Sequence, residues 1–554
     1  MATITFSLTD LQKLIGKKIS IEELEELLCY AKAEIDNYDK EKDEVTADFG
    51  DTNLPYLWSV EGVARLLKGI LGKEKGIPKL KINKSDYKLI VENSVTRVRP
   101  YVAAFVAKDF KIDDYLLKQM IQLQEKLCEN YGRRRKKLAI GIYRYSKIKF
   151  PVYYKAVYPT KTKFIPLEFK KEMDLKEILE EHPKGQEYAW ILDGCDKFPI
   201  LMDDSNNILS FPPIINSNET GKLEINDTDL FFEVTGTDLD SVLVACNIFA
   251  QALSDRGFKI FSVDIKYPDK KITTPFIFDE AIKINKESVK KLIGIELKDS
   301  EIKCLLEKQR YDYESGKAVI PCYRKDILHE NDVIEDLLIA YGYNNIEELP
   351  LTSYTPGSTK KIVYFIDKIR EIMIGLGYQE VMNQLLSNKN LLYNLMEIED
   401  TGTIEIQNPS SELYSCIRTW ILPGLMEILS KNKHVEYPQH IFEQGLVTIK
   451  NDGKIADNEK IAAASISEKA DYTKIKQSLE ALLKLVGIDY NIEETSNKSF
   501  IEGRVGKIIV NSREIGIIGE INPKVIYNFS LEMPVVAFEL NISEMFDTIN
   551  KNKE

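Results

Sequence analysis

The pattern of apolar and polar positions predicts helices alternating with short strands along the whole chain. Helices are predicted in TDLQKLIGKK and in SIEELEELLCYA, which opens with a Ser cap and acidic residues in its first turn. A more apolar helix, DLDSVLVACNIFAQALSDRG, has Asp and Ser at its start and Gly at its end. Runs such as KFPVYYKAVY predict strands. These elements indicate an α+β fold throughout.

Changes in this pattern divide the chain into several domains. A chain of 554 residues is too long for one core, and roughly three to five domains are expected. The stretch LPLTSYTPGSTKK predicts a linker, and the amphipathic IVYFIDKIREIMIGLGY opens the segment that follows it. The predicted parts are a helix-rich module at 1–88, a mixed α/β domain at 89–272, a second helix-rich module at 273–350, a linker at 351–360 and a last domain at 361–554.

An internal repeat relates the two helix-rich modules. KLIG at 13–16 recurs at 291–294, and a Leu-Leu pair recurs at the same offset of 278 residues. GVARLLKGILG can be laid on DVIEDLLIAYG after a shift of eight residues. The repeat predicts that one small module has been duplicated. In this pairing Tyr56, Gly62, Arg65 and Leu66 of the first copy stand where the second copy has Asp326, Asp332, Glu335 and Asp336.

Composition and charge narrow the class of protein. With 44% hydrophobic and 29% charged residues the chain resembles ordinary globular proteins, and a net charge of −12 argues against binding nucleic acid by bulk electrostatics. The seven cysteines include no CxxC pair, so neither a disulfide framework nor a zinc knuckle is indicated. No signal peptide and no membrane-length apolar run is evident. We therefore expect a cytoplasmic protein that does not associate with membranes.

The four acids of the second module raise two alternatives. Asp332, Glu335 and Asp336 are spaced i, i+3 and i+4, which predicts that they share one helical face, and Asp326 lies on the preceding loop. Such a group either decorates a solvated helix start or holds a hard divalent cation such as Mg²⁺, which prefers carboxylate oxygens. The spacing alone leaves both open.

Other motifs of known chemistry are missing or ambiguous. The chain has no phosphate loop, dinucleotide-binding glycine motif, nucleophile elbow or zincin helix. EVTGTDLDS predicts a turn feeding a helix capped by Asp238 or Asp240. YGRRRKKLAIGIY, at 131–143, groups five cations before an apolar strand, and such a run is either solvated surface or a phosphate contact.

Several stretches together resemble the β subunit of phenylalanyl-tRNA synthetase, in its archaeal and eukaryotic-cytosolic form. The resemblance covers nearly the whole chain, and its strength lies in the number, order and spacing of the matches. They are TITFSLTDLQKLIG, LWSVEGVARLLKGILG, QEKLCENYGRRRKKLAIGIY, SFPPIINSNETGKLEINDTDLFFEVTGTD, YRKDILHENDVIEDLLIAYGYNNI, NPSSELYSCIRTWILPGLMEILSKNK and EIGIIGEINPKVIYNFSLEMPVVAFEL.

This resemblance implies a subunit of phenylalanine–tRNA ligase. The family forms an α2β2 tetramer that acts on tRNA(Phe), and its α chain carries the class II core that activates phenylalanine with ATP. The last domain of the β chain is implied to be a class II-like antiparallel-sheet domain that is catalytically silent. QHIFEQGLV, at 439–447, is similar to a decayed class II strand motif without the Arg that grips ATP.

The resemblance also implies a metal site. The family's second helical module binds Mg²⁺ near the α-subunit contact, and the match falls on Asp326, Asp332, Glu335 and Asp336. The first module departs from the family in DTNLPYLWS, where Leu-Pro-Tyr stands in place of the usual Arg-Pro-Asp.

The second segment resembles the family's editing domain, which hydrolyses tyrosine wrongly attached to tRNA(Phe). The resemblance implies that Glu233 reads the tyrosine hydroxyl and that Asn216 and Thr235 position the ester or a water, with Leu201 and Ser210 lining the pocket. No Ser-His or Cys-His pair is evident in the sequence, which favours hydrolysis by an oriented water.

Two other classes of function compete with this interpretation. One is a metal-dependent hydrolase centred on the four acids, for which the sequence offers only His329 as a nearby base. The other is a non-enzymatic scaffold that retains these folds without either activity.

Overall fold

The computed structural model describes residues 2–51, 53–451 and 453–551. The outermost limits of the predicted first and last domains, residues 1 and 554, lie outside these ranges. The chain divides into two compact units, and the boundary along the sequence falls between Leu349 and Pro350. Residues 351–360 are exposed and contain no helix or strand. Among the described helices, none has the length and apolar character needed to cross a membrane.

The first unit begins with a small module of three helices and a three-stranded sheet. Helix starts follow the serines: Ser7, Ser20 and Ser59 each accept a hydrogen bond from a backbone N–H of the first turn. The sheet order is β1-β3-β2. The elements are β1 (Ala2–Ser7), α1 (Leu8–Ile15), α2 (Ile21–Leu28), β2 (Ala33–Asp39), β3 (Glu44–Phe49) and α3 (Val60–Ile70).

A large mixed sheet of eleven strands forms the middle of the first unit. The elements of this part of the chain are β4 (Ile82–Asn83), β5 (Lys88–Val91), β6 (Tyr101–Lys108), α4 (Asp114–Lys126), β7 (Leu138–Arg144), β8 (Val152–Val157), β9 (Lys163–Phe164), β10 (Met173–Asp174), α5 (Leu175–Glu181), α6 (Pro183–Tyr188), β11 (Phe198–Met202), β12 (Ile208–Phe211), β13 (Ile215–Asn216), β14 (Leu230–Gly236), α7 (Leu239–Arg256), β15 (Lys259–Lys266) and β16 (Lys271–Thr274). Of these strands, β9 and β10 form a separate two-stranded sheet. The sheet order is β13-β12-β11-β8-β5-β15-β6-β14-β7, while β4 and β16 also pair with β15.

Helix α7 is the apolar helix predicted from the sequence, and it is buried along most of its length. Asp238 accepts a hydrogen bond from the Ser241 amide, so Asp238 rather than Asp240 is the cap. Gly257 ends the helix with φ of 107°, a left-handed conformation that glycine adopts without a side-chain clash.

The last part of the first unit repeats the order of elements of its first part. It contains β17 (Ala281–Lys283), α8 (Lys286–Ile293), α9 (Asp299–Lys308), β18 (Asp312–Glu314), β19 (Lys317–Val319) and α10 (Glu330–Tyr341). In both modules the elements follow in the order strand, helix, helix, strand, strand, helix. In both sheets the third strand lies between the first two. The description of these modules as helix-rich was incomplete, because each also contains a three-stranded sheet.

The second unit is built on a seven-stranded sheet with helices on both faces. Its order is β20-β23-β24-β28-β27-β26-β25, and every pair except β20 with β23 is antiparallel. The elements are α11 (Lys361–Gly375), β20 (Gln379–Glu380), β21 (Leu386–Ser387), β22 (Cys416–Ile417), α12 (Leu422–Lys431), β23 (Gln439–Asn451), β24 (Lys454–Ile466), α13 (Tyr472–Val486), β25 (Asn491–Glu494), β26 (Phe500–Val510), β27 (Arg513–Ile521), α14 (Pro523–Asn528), β28 (Val535–Asn541) and α15 (Ile542–Lys551). The predicted mixed α/β multidomain fold is confirmed at this level.

Candidate functional site

A cavity of about 490 Å³ lies in the first unit, where residues from the two ends of the large sheet face each other. Its volume falls within the range of small-molecule sites, roughly 300–1,000 Å³. The wall is mostly apolar with a few polar side chains. Its members come from α4, the π-helical turn Leu127–Tyr131 that follows α4, β7, β12, β13, β14 and the loop between β12 and β13, and they include Gln124, Cys128, Ile140, Ile142, Ser210, Phe211, Pro213, Ile214, Asn216 and Glu233.

Tyr143 joins the two ends of the sheet. Its hydroxyl oxygen on β7 lies 2.8 Å from Glu233 Oε1 on β14 and 2.8 Å from Ser210 Oγ on β12. Asn216 Oδ1 lies 3.4 Å from the same hydroxyl. A phenol has one hydrogen to donate, so when it donates to the Glu233 carboxylate the Ser210 hydroxyl can donate to it. This bond network fixes three side chains of the cavity relative to one another.

Glu233 is the buried carboxylate of this network. Its side chain is buried, and its second oxygen, Oε2, has no hydrogen-bond partner in the described part of the chain. Desolvation by burial raises the pKa of Glu233 to about 7, against the lowering effects of the Tyr143 hydrogen bond and the Arg99 charge. A buried acceptor without a partner is unfavourable, so Oε2 is available to a donor that enters the cavity.

Gly141 has no side chain, and the Tyr143 and Glu233 side chains occupy the space that a side chain at residue 141 would fill. It pairs with Glu233 across β7 and β14. A Cβ atom at residue 141 would lie 2.1 Å from the Tyr143 hydroxyl oxygen and 2.4 Å from Glu233 Oε1. The site therefore requires glycine on this strand because of a close approach.

Gly141→Ala is expected to lower the free energy of unfolding by about 1–3 kcal/mol, the usual cost of overpacking a buried site. Thermal unfolding of the full chain measures the effect. Gly357→Ala is the matched control, because a Cβ atom there meets no atom within 4 Å. Equal unfolding temperatures for the two variants would contradict the crowded arrangement around Gly141.

Ser210 and Asn216 both line the cavity. Ser210 is buried on β12, while Asn216 on β13 is half-buried and places Nδ2 3.5 Å from the Ile142 carbonyl oxygen. Gly221 packs against Asn216, since a Cβ atom at 221 would lie 2.5 Å from Asn216 Cβ. The Asn216 amide is thus held beside the Tyr143 network.

Thr235 and Leu201 do not line the cavity. Thr235 is buried on β14, where its hydroxyl and carbonyl oxygens accept hydrogen bonds from Arg99 Nε and Nη2, at 3.1 and 2.8 Å. Leu201 pairs with Ser210 in the sheet, but its side chain lies in the apolar core. Both residues lie behind the cavity wall, where they contact the strands that form it, and not in the catalytic and lining positions that were expected.

Sequence reasoning missed Tyr143, Gly141 and Arg99. All of β7 except its last residue is buried, so its sequence LAIGIYR shows no polar alternation that marks one face. Tyr143 contacts Ser210 and Glu233 across 67 and 90 residues of chain. No local pattern contains such a contact.

The four acids of the second module do not converge. Asp336 is buried, accepting hydrogen bonds from Tyr311 at 2.5 Å and from Arg324 Nη1 at 2.6 Å. Asp326 forms an ion pair with the same Arg324 guanidinium. Asp332 Oδ2 accepts hydrogen bonds from the backbone amides of Leu328 and His329, at 2.7 and 2.8 Å.

The Glu335 carboxylate pairs with Lys32 of the first module at 2.7 Å. Within the described residues, no group of three or more His, Cys, Asp or Glu side chains could hold a metal ion. The arrangement therefore does not fit one Mg²⁺ held by all four acids. Helix α10 directs the Asp336 side chain into the core, and the Asp332 side chain turns back to cap the same helix, so these carboxylates have different partners.

The departure of the first module at residues 54–56 has a structural explanation. Tyr56 is buried, and its ring lies 5.4 Å from the Tyr323 ring. Arg324, which belongs to the second module as Tyr323 does, places its guanidinium 5.0 Å from the Tyr56 ring centroid. The tyrosine thus contributes to the contact between the two modules.

The second unit contains one Ser–His pair that the sequence did not reveal. His440 Nδ1 lies 2.9 Å from Ser465 Oγ beside a cleft of about 930 Å³. Ser465 Oγ also bonds to the Tyr378 hydroxyl at 3.0 Å, which bonds to Ser478. No carboxylate orients His440 in the described part of the unit. The pair joins β23 to β24, Tyr378 extends these hydrogen bonds to Ser478 on α13, and without an orienting carboxylate the arrangement is not a triad.

Two family models match the chain. Residues 346–542 match the model described as "Phenylalanyl tRNA synthetase beta chain CLM domain". Residues 282–343 match the model described as "tRNA synthetase B5 domain", and they coincide with the second small module.

Curated relatives match over almost the whole chain. The chain is 45% identical to the phenylalanine–tRNA ligase beta subunit of Pyrococcus horikoshii, over 99% of this chain and 100% of the relative. It is 40% identical to the corresponding protein of Archaeoglobus fulgidus, over 92% and 93% of the two chains. A crystal structure of an N-terminal fragment of the Pyrococcus horikoshii subunit is similar, with 44% identity and a TM-score of 0.60 over 62% of this chain and 100% of the fragment.

Proposed function

The chain belongs to the family of phenylalanine–tRNA ligase β subunits, and we propose that it acts as the β chain of that ligase. In this proposal an α subunit joins it in an α2β2 tetramer that attaches phenylalanine to tRNA(Phe) using ATP. ATP and Mg²⁺ act at the adenylation site of the α chain. The cavity of the first unit hydrolyses tyrosine that has been attached to this tRNA by mistake.

The second unit supplies a surface for a partner rather than an adenylation site. Its matched stretch, QHIFEQGLV, offers no Arg to hold an ATP phosphate. Several large apolar side chains of the unit are exposed, as expected of a surface that a partner covers. They include Tyr364, Ile374, Met382 and Leu413.

The isolated chain is expected to show no phenylalanine-dependent exchange of pyrophosphate into ATP. The reason is that the stretch QHIFEQGLV of the second unit contains no Arg to hold an ATP phosphate. The measurement compares the purified chain alone with the chain assembled with a candidate α subunit. Exchange by the β chain alone would overturn the assignment of a silent second unit.

A tRNA ligase for phenylalanine needs a second site for a physical reason. An apolar pocket shaped for phenylalanine rejects a ring that merely adds a hydroxyl only about a hundredfold. A site that hydrogen-bonds the hydroxyl discriminates in the opposite direction, because phenylalanine leaves its buried polar groups unpaired. The second site therefore removes tyrosine selectively.

The unpartnered Glu233 Oε2 is the observation that carries this proposal. It is a buried acceptor in the wall of a cavity lined by apolar side chains such as Ile140 and Phe211. A tyrosine hydroxyl donating to Oε2 satisfies that acceptor, whereas a phenylalanine ring leaves it unpaired. The same geometry thus provides both binding and selectivity.

An oriented water is the proposed nucleophile. Cys128 is the only thiol in the described cavity wall, and desolvation by burial raises its pKa to about 11, which keeps it protonated at neutral pH. Ser210 has Tyr143 rather than a histidine beside it. The Asn216 amide lies near enough to the network to orient the ester or the water.

The proposal is tested with the assembled tetramer and pre-formed tyrosyl-tRNA and phenylalanyl-tRNA. We expect rapid hydrolysis of the tyrosyl ester and slow hydrolysis of the phenylalanyl ester. A tetramer that charges tRNA but hydrolyses neither ester would favour a scaffold role for the first unit. Hydrolysis by the lone chain that depends on a metal would instead favour the metal-dependent hydrolase, which the dispersed acids do not support.

A further inference from the structure

The basic turn at residues 132–137 has an unusual backbone conformation. Arg133, Arg134 and Arg135 have φ values of 51°, 53° and 63°, so three successive residues with side chains adopt the left-handed conformation. This conformation is unfavourable for L-residues other than glycine, and a run of three is rarer still. Backbone strain of this kind persists where surrounding contacts impose it, and it clusters at functional sites.

Hydrogen bonds hold the turn in this conformation. The Arg134 amide donates to the Glu129 carbonyl at 2.8 Å, and the Arg135 amide donates to the Cys128 carbonyl at 2.9 Å. Arg99, which also holds Thr235, donates to the Lys136 carbonyl at 3.2 Å. The amides point inward in this arrangement, so the outer surface of the turn consists of its side chains.

Arg135 connects the turn to the cavity. It lines the cavity wall, and its Nη1 donates to the carbonyl oxygens of Ile214 and Pro213 at 2.9 and 3.2 Å. Its guanidinium lies 4.2 Å from the Tyr188 ring centroid. The turn is thereby fastened beside the loop that joins β12 to β13.

Of the other four cations of the turn, Lys137 lies 3.6 Å from Asp238 Oδ1, and the remaining three are free to meet a ligand. Arg133, Arg134 and Lys136 are exposed, and across the described ranges no carboxylate oxygen lies within 4 Å of their nitrogens. They stand out in a chain whose net charge is −12. Guanidinium groups match the geometry of phosphate oxygens, which makes RNA phosphates a suitable ligand.

We propose that Arg133, Arg134 and Lys136 bind phosphates near the 3′ end of the aminoacylated tRNA whose ester enters the cavity. The inference rests on the proposed function for the identity of the RNA. The competing explanation is structural: the cations follow helix α4, and positively charged side chains near the C-terminus of a helix stabilise it. The two explanations differ in what the side chains do once RNA is present.

The experiment uses the assembled tetramer and uncharged tRNA(Phe) transcript, with affinity measured over a series of salt concentrations. The triple variant R133A/R134A/K136A is expected to lose at least about tenfold in affinity and to reduce the slope of log Kd against log salt by about 2, or roughly 0.7 per lost contact. The control K283A/K291A/K317A removes three exposed lysines of the second small module and should bind as the wild type does.

A second substrate separates this inference from the proposed function. The 3′-tyrosyl ester of adenosine carries no phosphate, so the triple variant should hydrolyse it at the wild-type rate while its KM for tyrosyl-tRNA rises. If the wild type hydrolyses neither substrate, the proposed editing function fails, and the RNA affinities still decide the role of the turn.

Arg134→Gly provides a test that does not depend on the folding of the triple variant. Glycine accepts the left-handed conformation, so this variant is expected to unfold at a higher temperature yet bind tRNA more weakly. Wild-type RNA affinity and salt slope in both Arg134→Gly and the triple variant would overturn the proposal and leave a helix-terminal role for the cations.

Discussion

Glu233→Ala is expected to slow hydrolysis of tyrosyl-tRNA by the assembled tetramer by roughly 10- to 100-fold. This is the effect of losing a hydrogen bond to a charged acceptor, about 1.5–3 kcal/mol. Phenylalanine charging should remain close to normal, because Glu233 belongs to the cavity and not to an adenylation site. Selectivity for tyrosyl over phenylalanyl esters should fall together with the rate.

The measurement is deacylation of both pre-formed esters by wild-type and variant tetramers at matched folded concentration. Glu233→Gln is the matched control for shape: the amide keeps an acceptor oxygen and loses the charge, so its rate should fall between those of the wild type and the alanine variant. If tyrosyl-tRNA is hydrolysed equally by all three, Glu233 has no part in the reaction. Reduced stability with unchanged selectivity would mark it as a purely structural acid.

The pH dependence of selectivity provides a separate test of the same carboxylate. Because burial places the Glu233 pKa near 7, the charged acceptor predominates only above about pH 7. Tyrosine selectivity should therefore fall as pH decreases through 7 in the wild type. In Glu233→Gln the selectivity should not vary with pH in this window.

The same raised pKa has an opposite consequence for stability. An acid whose pKa increases on folding, here from 4.5 to about 7, stabilises the folded state most at pH values below 4.5. That contribution, roughly 3 kcal/mol, is lost as pH rises from about 4.5 to 7. Stability and tyrosine selectivity thus depend on opposite protonation states of Glu233.

Arg324→Met is expected to lower the free energy of unfolding of the first unit by about 3–5 kcal/mol, the usual cost of removing one partner from a buried ion pair. The Arg324 side chain is buried, and it pairs with both Asp326 and Asp336. Its guanidinium also lies about 5 Å from the ring centroids of Tyr56 and Tyr311. The substitution leaves two acids in a poorly solvated place without a counter-charge.

Denaturant unfolding of the full chain, monitored for the transition of the first unit, measures this effect. Lys286→Met is the control, because its pair with Asp299 is exposed on both sides and surface pairs contribute little. Similar midpoints for Arg324→Met and Lys286→Met would show that the Arg324 contacts do not support the module.

Added Mg²⁺ tests whether the same four acids form a metal site. Since Arg324 and Lys32 neutralise three of the four acids, adding millimolar Mg²⁺ should not raise the unfolding midpoint of the wild-type chain. A rise that is absent in the double variant Asp332→Ala with Glu335→Ala would restore the predicted metal site. It would also require the carboxylates to rearrange on binding.

Several features followed from the sequence by itself. The serine and aspartate caps and the left-handed glycine after α7 depend on residues that are neighbours in the chain, so local rules predict them. The order of matching stretches identified the family, and the repeated strings anticipated two modules with the same order of elements. Glu233 could be named because it lies within one of those stretches.

Only the tertiary structure decided how the site is assembled. Glu233, Tyr143 and Ser210 come from three strands, and the Tyr143 hydroxyl oxygen lies 2.8 Å from both Glu233 Oε1 and Ser210 Oγ. The spacing of the acids near residue 330 is compatible with a metal site. In the structure, however, buried Arg324 forms ion pairs with Asp326 and Asp336, and Asp332 caps helix α10. Spacing along a helix fixes which residues are close, but burial and the nearest opposite charge determine where each carboxylate points.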